Sequence, residues 1–146
     1  MSARALIDTG AILALLDKSD RWHERCLQTF NNLPLPLGTS AAVLAELFHL
    51  LDPHAGELDV AWRFLHSGAV TVLGIDDSDL SALEDLMKKY HDRPMDFADA
   101  TLVHLARRES LVTVFTVDHD DFETYRISGR RRFRIVPERL PDAALR

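Results

Sequence analysis

The chain has 146 residues, 47% hydrophobic and 27% charged, the range of one ordinary globular domain that buries a core without needing disulfides or metal to hold it together. Its 23 acids against 17 Lys and Arg give a formal charge of -6, which excludes a simple basic nucleic-acid-binding module. One cysteine, Cys26, excludes an internal disulfide and a Cys-rich zinc site, and no apolar run reaches membrane-spanning length, so a soluble, cytoplasmic protein is expected.

In chain order, Arg4-Ala-Leu-Ile-Asp8 is a short apolar run ending on an acid, which predicts a buried strand with Asp8 at its carboxyl end. Thr9 and Gly10 turn the chain into a short helix carrying Ile12, Leu13, Leu15 and Leu16. A second helix over 23–33 sets Cys26, Leu27 and Phe30 on one face, so Cys26 reads as a packed thiol rather than a nucleophile. The segment 35–38 is a weak strand that Pro34 and Pro36 confine to an edge or a short length. Thr39 and Ser40 are good N-caps for a helix through Val43, Leu44, Leu47, Phe48 and Leu51, with Glu46 inside it.

A further helix is predicted over 58–66, Gly68 breaks it, and 69–73 reads as a strand. Asp76, Asp77, Ser78 and Asp79 suit the orphan N–H groups at the start of a helix that reaches Tyr90. Pro94 precedes a helix over 96–109, and the apolar run 111–117 is the strongest strand signal, ending on Asp118. His119 reads as a solvated loop residue, Asp120 and Asp121 as turn formers, and Trp22 and Trp62 as helix packing. A last short strand is expected over 133–136. Helices alternating with short apolar strands, with no repeat or long linker, predict one α/β domain over 1–146, its mostly parallel sheet covered by helices on both faces.

Ligand crevices of open parallel sheets lie beyond the carboxyl ends of the strands. Asp8, the Thr39/Ser40 pair and Asp118 are expected at that edge. Asp96 and Asp99 stand at i and i+3 of one helix, hence on one face. Asp96 alone could be only a cap. Asp99 between alanines, and Glu46 within Ala-Val-Leu-Ala-Glu-Leu-Phe, are acids on apolar helix sides and need partners. Almost no base is near them in sequence. Two like charges about 4 Å apart repel by roughly 4 kcal/mol at an effective dielectric near 20. If the four acids converge, a divalent cation is the natural compensation, and oxygen ligands favour Mg2+ or Mn2+ over zinc. The basic exception is 126–134, with five Arg and no acid, either a solvated strand edge or a phosphate-contacting rim beside that centre.

These segments together resemble the PIN-domain nucleases, specifically the VapC-type toxins of bacterial toxin-antitoxin pairs. Leu6-Ile-Asp-Thr-Gly-Ala-Ile-Leu13, Ser40-Ala-Ala-Val-Leu-Ala-Glu46, Pro94-Met-Asp-Phe-Ala-Asp-Ala-Thr-Leu-Val103 and Phe115-Thr-Val-Asp118 followed by Asp121-Phe122 occur in the family's order and spacing, across essentially the whole chain. The resemblance implies a three-layer α/β/α fold and an acidic centre of Asp8, Glu46, Asp99 and Asp118, with Asp96 as an accessory acid. It implies hydroxyl helpers at Thr116 and Ser40, with Thr9 a weaker one, and Mg2+- or Mn2+-dependent endonucleolytic cleavage of RNA. It further implies a cognate antitoxin, a toxin homodimer and a possible larger complex of the two. Arg130, Arg131 and Arg132 are candidates for contact with RNA phosphates or the antitoxin.

Other chemistries fit less well. Asp8-Thr-Gly10 has Gly where a haloacid-dehalogenase-like phosphatase needs a second Asp, and the seven scattered His show no i, i+4 zinc spacing. A receiver domain expects adjacent acids after the first strand, and no Gly-rich phosphate loop is present. Two alternatives stay open: a PIN-fold RNA-processing nuclease outside a toxin-antitoxin pair, and a non-catalytic partner-binding module of the same fold.

Overall fold

The computed structural model describes residues 2–139; Met1 and 140–146, the ends of the expected 1–146 unit, lie outside the described residues. Five parallel strands run in the order β3-β2-β1-β4-β5, with β1 Ala5–Ile7, β2 Leu37–Thr39, β3 Val70–Val72, β4 Thr113–Phe115 and β5 Arg134–Val136. The helices α1 Thr9–Leu16, α2 His23–Asn32, α3 Ala41–Leu50, α4 Glu57–His66, α5 Leu80–Lys89, α6 Phe97–Arg108 and α7 His119–Thr124 complete a three-layer α/β/α domain. The sheet is wholly parallel, where a mostly parallel one was expected.

Each strand is three residues long, and the central pair β1 and β4 is almost entirely buried, as a sheet covered on both faces requires. Leu6, Ile7, Leu37, Val114 and Phe115 pack against Ile12, Leu47, Leu102 and Leu105 from the helices. β2 sits inside the sheet between β3 and β1 rather than at an edge, because Pro34 and Pro36 precede its first residue and leave the ladder intact. Leu6 pairs with Gly38, where an added Cβ would come within 2.8 Å of Leu73.

Capping chemistry sets the helix starts. Ser40 accepts the Val43 N–H at 3.2 Å, and Asp96 accepts the Asp99 N–H at 2.7 Å. Asp76 and Asp79 form a reciprocal capping box, and Asp79 also bonds His104 at 2.7 Å and Arg108 at 3.2 Å. Those contacts, led by the Asp76 N–H, hold the Asp79 carboxyl down at about 2. Cys26 is fully buried, and burial pushes its thiol up to about 12, so it is inert packing as expected. Trp22 is buried, but Trp62 is 49% exposed and lies against Phe48 with ring centroids 4.9 Å apart, because its face of α4 looks away from the core.

Two sequence expectations fail after β4. His119, Asp120 and Asp121 do not form a loop; they open α7, where Asp120 and Asp121 are first-turn acids favoured by the helix dipole. His119 is buried, its ring 5.3 Å from Trp22 and its Nε2 2.8 Å from the Pro137 carbonyl. No helix among the described residues is long and apolar enough to cross a membrane.

Candidate active site

Asp8 leaves the carboxyl end of β1 and caps α1. Its Oδ1 accepts the Thr9 N–H at 2.8 Å, and its Oδ2 accepts the Thr116 hydroxyl at 2.9 Å. Thr116 stands just past β4, adjacent to β1 in the sheet, and its Oγ1 also accepts the Asp118 N–H at 3.0 Å. One hydroxyl therefore fixes the Asp8 carboxylate and the backbone that carries Asp118. Gly10 makes this approach possible, since an added Cβ there would meet Val117 Cγ2 at 2.8 Å.

The second acid comes from α6. Asp99 lies in its first turn, and its Oδ2 accepts the Tyr125 hydroxyl at 2.8 Å. The Tyr125 ring is buried edge-on against Tyr90 and Phe122, with centroids 5.0 and 5.3 Å away.

Asp8 and Asp99 are only 6% and 8% exposed, so water screens neither charge. Burial is the main influence on Asp8; with repulsion from Glu46 and Asp118 it outweighs the hydrogen bonds from Thr9 and Thr116 and lifts the carboxyl to about 6. Burial, then repulsion from Asp8 and Asp96, lifts Asp99 to about 8 despite the Tyr125 hydrogen bond. Asp118 is raised to about 6, first by burial and then by hydrogen bonding and repulsion with Asp121. Among the described residues, no Lys or Arg forms an ion pair with Asp8, Glu46, Asp99 or Asp118.

Asp8, Glu46, Asp99, Asp118 and Asp96 thus share one electrostatic neighbourhood. Their oxygen-only donor set and unbalanced charge fit a hard divalent cation. Among the described residues no three His, Cys, Asp or Glu side chains already stand in ligand positions around one ion. Ser40 is engaged between helices instead. Beyond capping α3, its Oγ lies 2.7 Å from the Thr101 hydroxyl, buried between α3 and α6. Thr9 gives its N–H to Asp8 and its hydroxyl to the Val43 carbonyl at 3.4 Å.

The sequence reading passed over Tyr125 and took Asp121 for a turn former. The signal was present in the spacing of Asp118, Phe122 and Tyr125, at i, i+4 and i+7, which sets them on one helical face. Arg93 and Arg139 pair with acids of this rim: Arg93 Nε lies 3.3 Å from Asp121, and Arg139 bonds Asp120 at 2.7 Å and Glu123 at 2.9 Å.

The arginine-rich stretch begins at the residue after Tyr125. Arg126 bridges Arg132 across a turn at Gly129, Arg107 of α6 donates to the Ile127 carbonyl, and Arg134 pairs with Thr113 at the amino end of β4. Arg130, Arg131 and Arg132 are exposed in this loop, which returns the chain to the amino end of β5 so that it runs parallel to β4.

Comparison with known proteins agrees with this architecture. The PIN domain profile matches residues 5–127. Ribonuclease VapC26 of Mycobacterium tuberculosis is 31% identical over 135 residues, spanning 90% of this chain and 99% of that protein. The crystal structure of M. tuberculosis VapC20, described as a sarcin-ricin loop cleaving toxin, superposes with a TM-score of 0.70 at 22% identity, covering 80% of this chain and 91% of that one. A toxin-antitoxin complex from Klebsiella pneumoniae gives 0.62 at 19% identity, covering 82% and 91%. The full-length relative and the profile across most of the chain place this protein in the PIN-domain family.

Proposed function

We propose that the chain is an endoribonuclease requiring Mg2+ or Mn2+, and the toxin of a toxin-antitoxin pair. The observation that carries this reading is the buried pair Asp8 and Asp99, mutually repelling, held by neutral hydroxyls and, among the described residues, without a basic partner. Its support from relatives is that one at 31% identity is named a ribonuclease and that a solved structure of the same fold is described as a sarcin-ricin loop cleaving toxin.

In this proposal Asp8 and Asp99 hold the cation most directly, Glu46 and Asp118 complete its surroundings, and Asp96 adds negative charge while capping α6. When bound, the ion supplies Lewis-acid polarisation of the scissile phosphate and acidifies water. Thr116 holds the Asp8 carboxylate in one orientation and Thr9 fixes its other oxygen, so neither has to reorganise when substrate arrives. Arg130, Arg131 and Arg132 bind RNA phosphates.

Exposed apolar surface supports the partners. Leu13, Leu16, Leu50, Leu51 and Val60 line a cavity of about 500 Å³ that Asp17, Asp20 and Glu57 flank, which suits an antitoxin segment with apolar and basic side chains. Leu80 and Phe97, both exposed, form a separate apolar surface on α5 and α6 suited to a second copy of the chain.

The test compares purified wild type with Asp99→Asn in RNA cleavage at varied Mg2+ and Mn2+. Wild-type cleavage should rise with either metal, and the variant should lose more than the roughly 10–100-fold typical of removing an outer partner of a metal ligand. Equal, metal-independent cleavage by both proteins overturns the proposal.

A further inference from the structure

We infer that Tyr125 is a positioning residue that presets the Asp99 carboxylate for a divalent cation. The inference rests on the proposed metal-dependent reading of the site and adds a residue that the acidic motifs do not contain.

Tyr125 ends α7 as its C-cap, and its backbone N–H bonds the Asp121 carbonyl at 3.0 Å. The ring has no room to swing, being buried and held edge-on by Tyr90 and Phe122. Tyr90 is itself tied to the same segment, because its hydroxyl accepts the Arg126 N–H at 2.9 Å. The phenol O–H therefore arrives at Asp99 Oδ2, 2.8 Å away, from a fixed direction. A carboxylate with one oxygen pinned presents the other along one line. Asp8 is held more fully, its Oδ1 by the Thr9 N–H and its Oδ2 by the Thr116 hydroxyl.

The choice of partner matters. A Lys or Arg would orient Asp99 equally well but would neutralise it and compete with a cation. A phenol orients the carboxyl without bringing a counter-charge. Outer partners of this kind commonly set metal affinity by about 10–100-fold when removed.

Tyr125→Phe removes the hydroxyl and keeps the ring that packs on Tyr90 and Phe122. The experiment titrates Mn2+ into wild type, Tyr125→Phe and Asp99→Asn and follows free Mn2+ by electron paramagnetic resonance, with the thermal midpoint of each protein measured in chelator. The expected result is an Asp99-dependent Mn2+ site in wild type whose dissociation constant rises about 10-fold in Tyr125→Phe, with little change in the chelator midpoint. A purely structural role would lower that midpoint and leave the Mn2+ affinity of the folded protein unchanged, and this result overturns the inference. If wild type and Asp99→Asn bind Mn2+ alike, the metal-dependent reading itself falls and the inference with it.

Discussion

Asp99, Asp8 and Asp118 have carboxyls raised to about 8, 6 and 6, which links their ionisation to folding. An unfolded Asp titrates near about 3.9, so the folded state binds protons more tightly. The stability this confers is fully present below about pH 4 and is lost as pH rises through 6 for Asp8 and Asp118 and through 8 for Asp99. In chelator, the thermal midpoint should therefore fall between pH 5 and pH 9, by an amount worth on the order of a few kcal/mol. Asp99→Asn should flatten the upper part of that decline. A midpoint that rises with pH in wild type would contradict the assigned burial of these acids. The acids were legible in sequence because a carboxylate among alanines and leucines breaks an otherwise apolar pattern. Tyr125 and His119 were missed, since the spacing of Asp118, Phe122 and Tyr125 marks a face only once a helix is known there, and their burial depends on Tyr90 and Trp22 from distant segments.

At the scale of elements, the junction between β1 and α1 is packed against the strand-to-helix turn after β4. Gly10→Ala would set a methyl group 2.8 Å from Val117 Cγ2, and Val117 is branched at Cβ and cannot fold out of the way. The Val117–Asp118 backbone must shift instead, at a cost of about 1–3 kcal/mol. RNA cleavage should fall by a larger factor than stability alone accounts for, measured as activity of the folded protein beside urea unfolding. Unaltered cleavage would show that Asp118 tolerates displacement. Most elements could be read from periodicity, with ends trimmed by pairing: the apolar run 111–117 became Thr113–Phe115 because β1 opposite it offers only Ala5–Ile7. Helix α7 was missed for a different reason. His-Asp-Asp-Phe-Glu-Thr holds one large apolar residue, too little to show a helical period, and it folds because Phe122 reaches the core beneath it.

Across the whole molecule, acids and bases meet at one rim. Asp8 and Asp118 follow the carboxyl ends of β1 and β4, Arg93 and Arg139 pair with Asp120, Asp121 and Glu123 of α7, and Arg130, Arg131 and Arg132 are exposed in the loop before β5. The sequence showed both populations but not these pairings, which join segments distant in the chain. Replacing those three arginines with Gln should weaken RNA binding and reduce its dependence on salt, while cleavage at saturating RNA stays near the wild-type rate. Unchanged affinity and salt slope in a filter-binding titration would leave the loop as a solvated edge. Strand order carries a further consequence. Asp8 meets Thr116 across 108 positions of sequence, through a pairing of β1 with β4 that no shorter stretch of chain can make. On the proposed function, a growing polypeptide has no working blade while it is being made: the first carboxylate is synthesised early and waits for nearly all the rest. On that same proposal, the RNA that encodes the protein meets no assembled site on an unfinished chain.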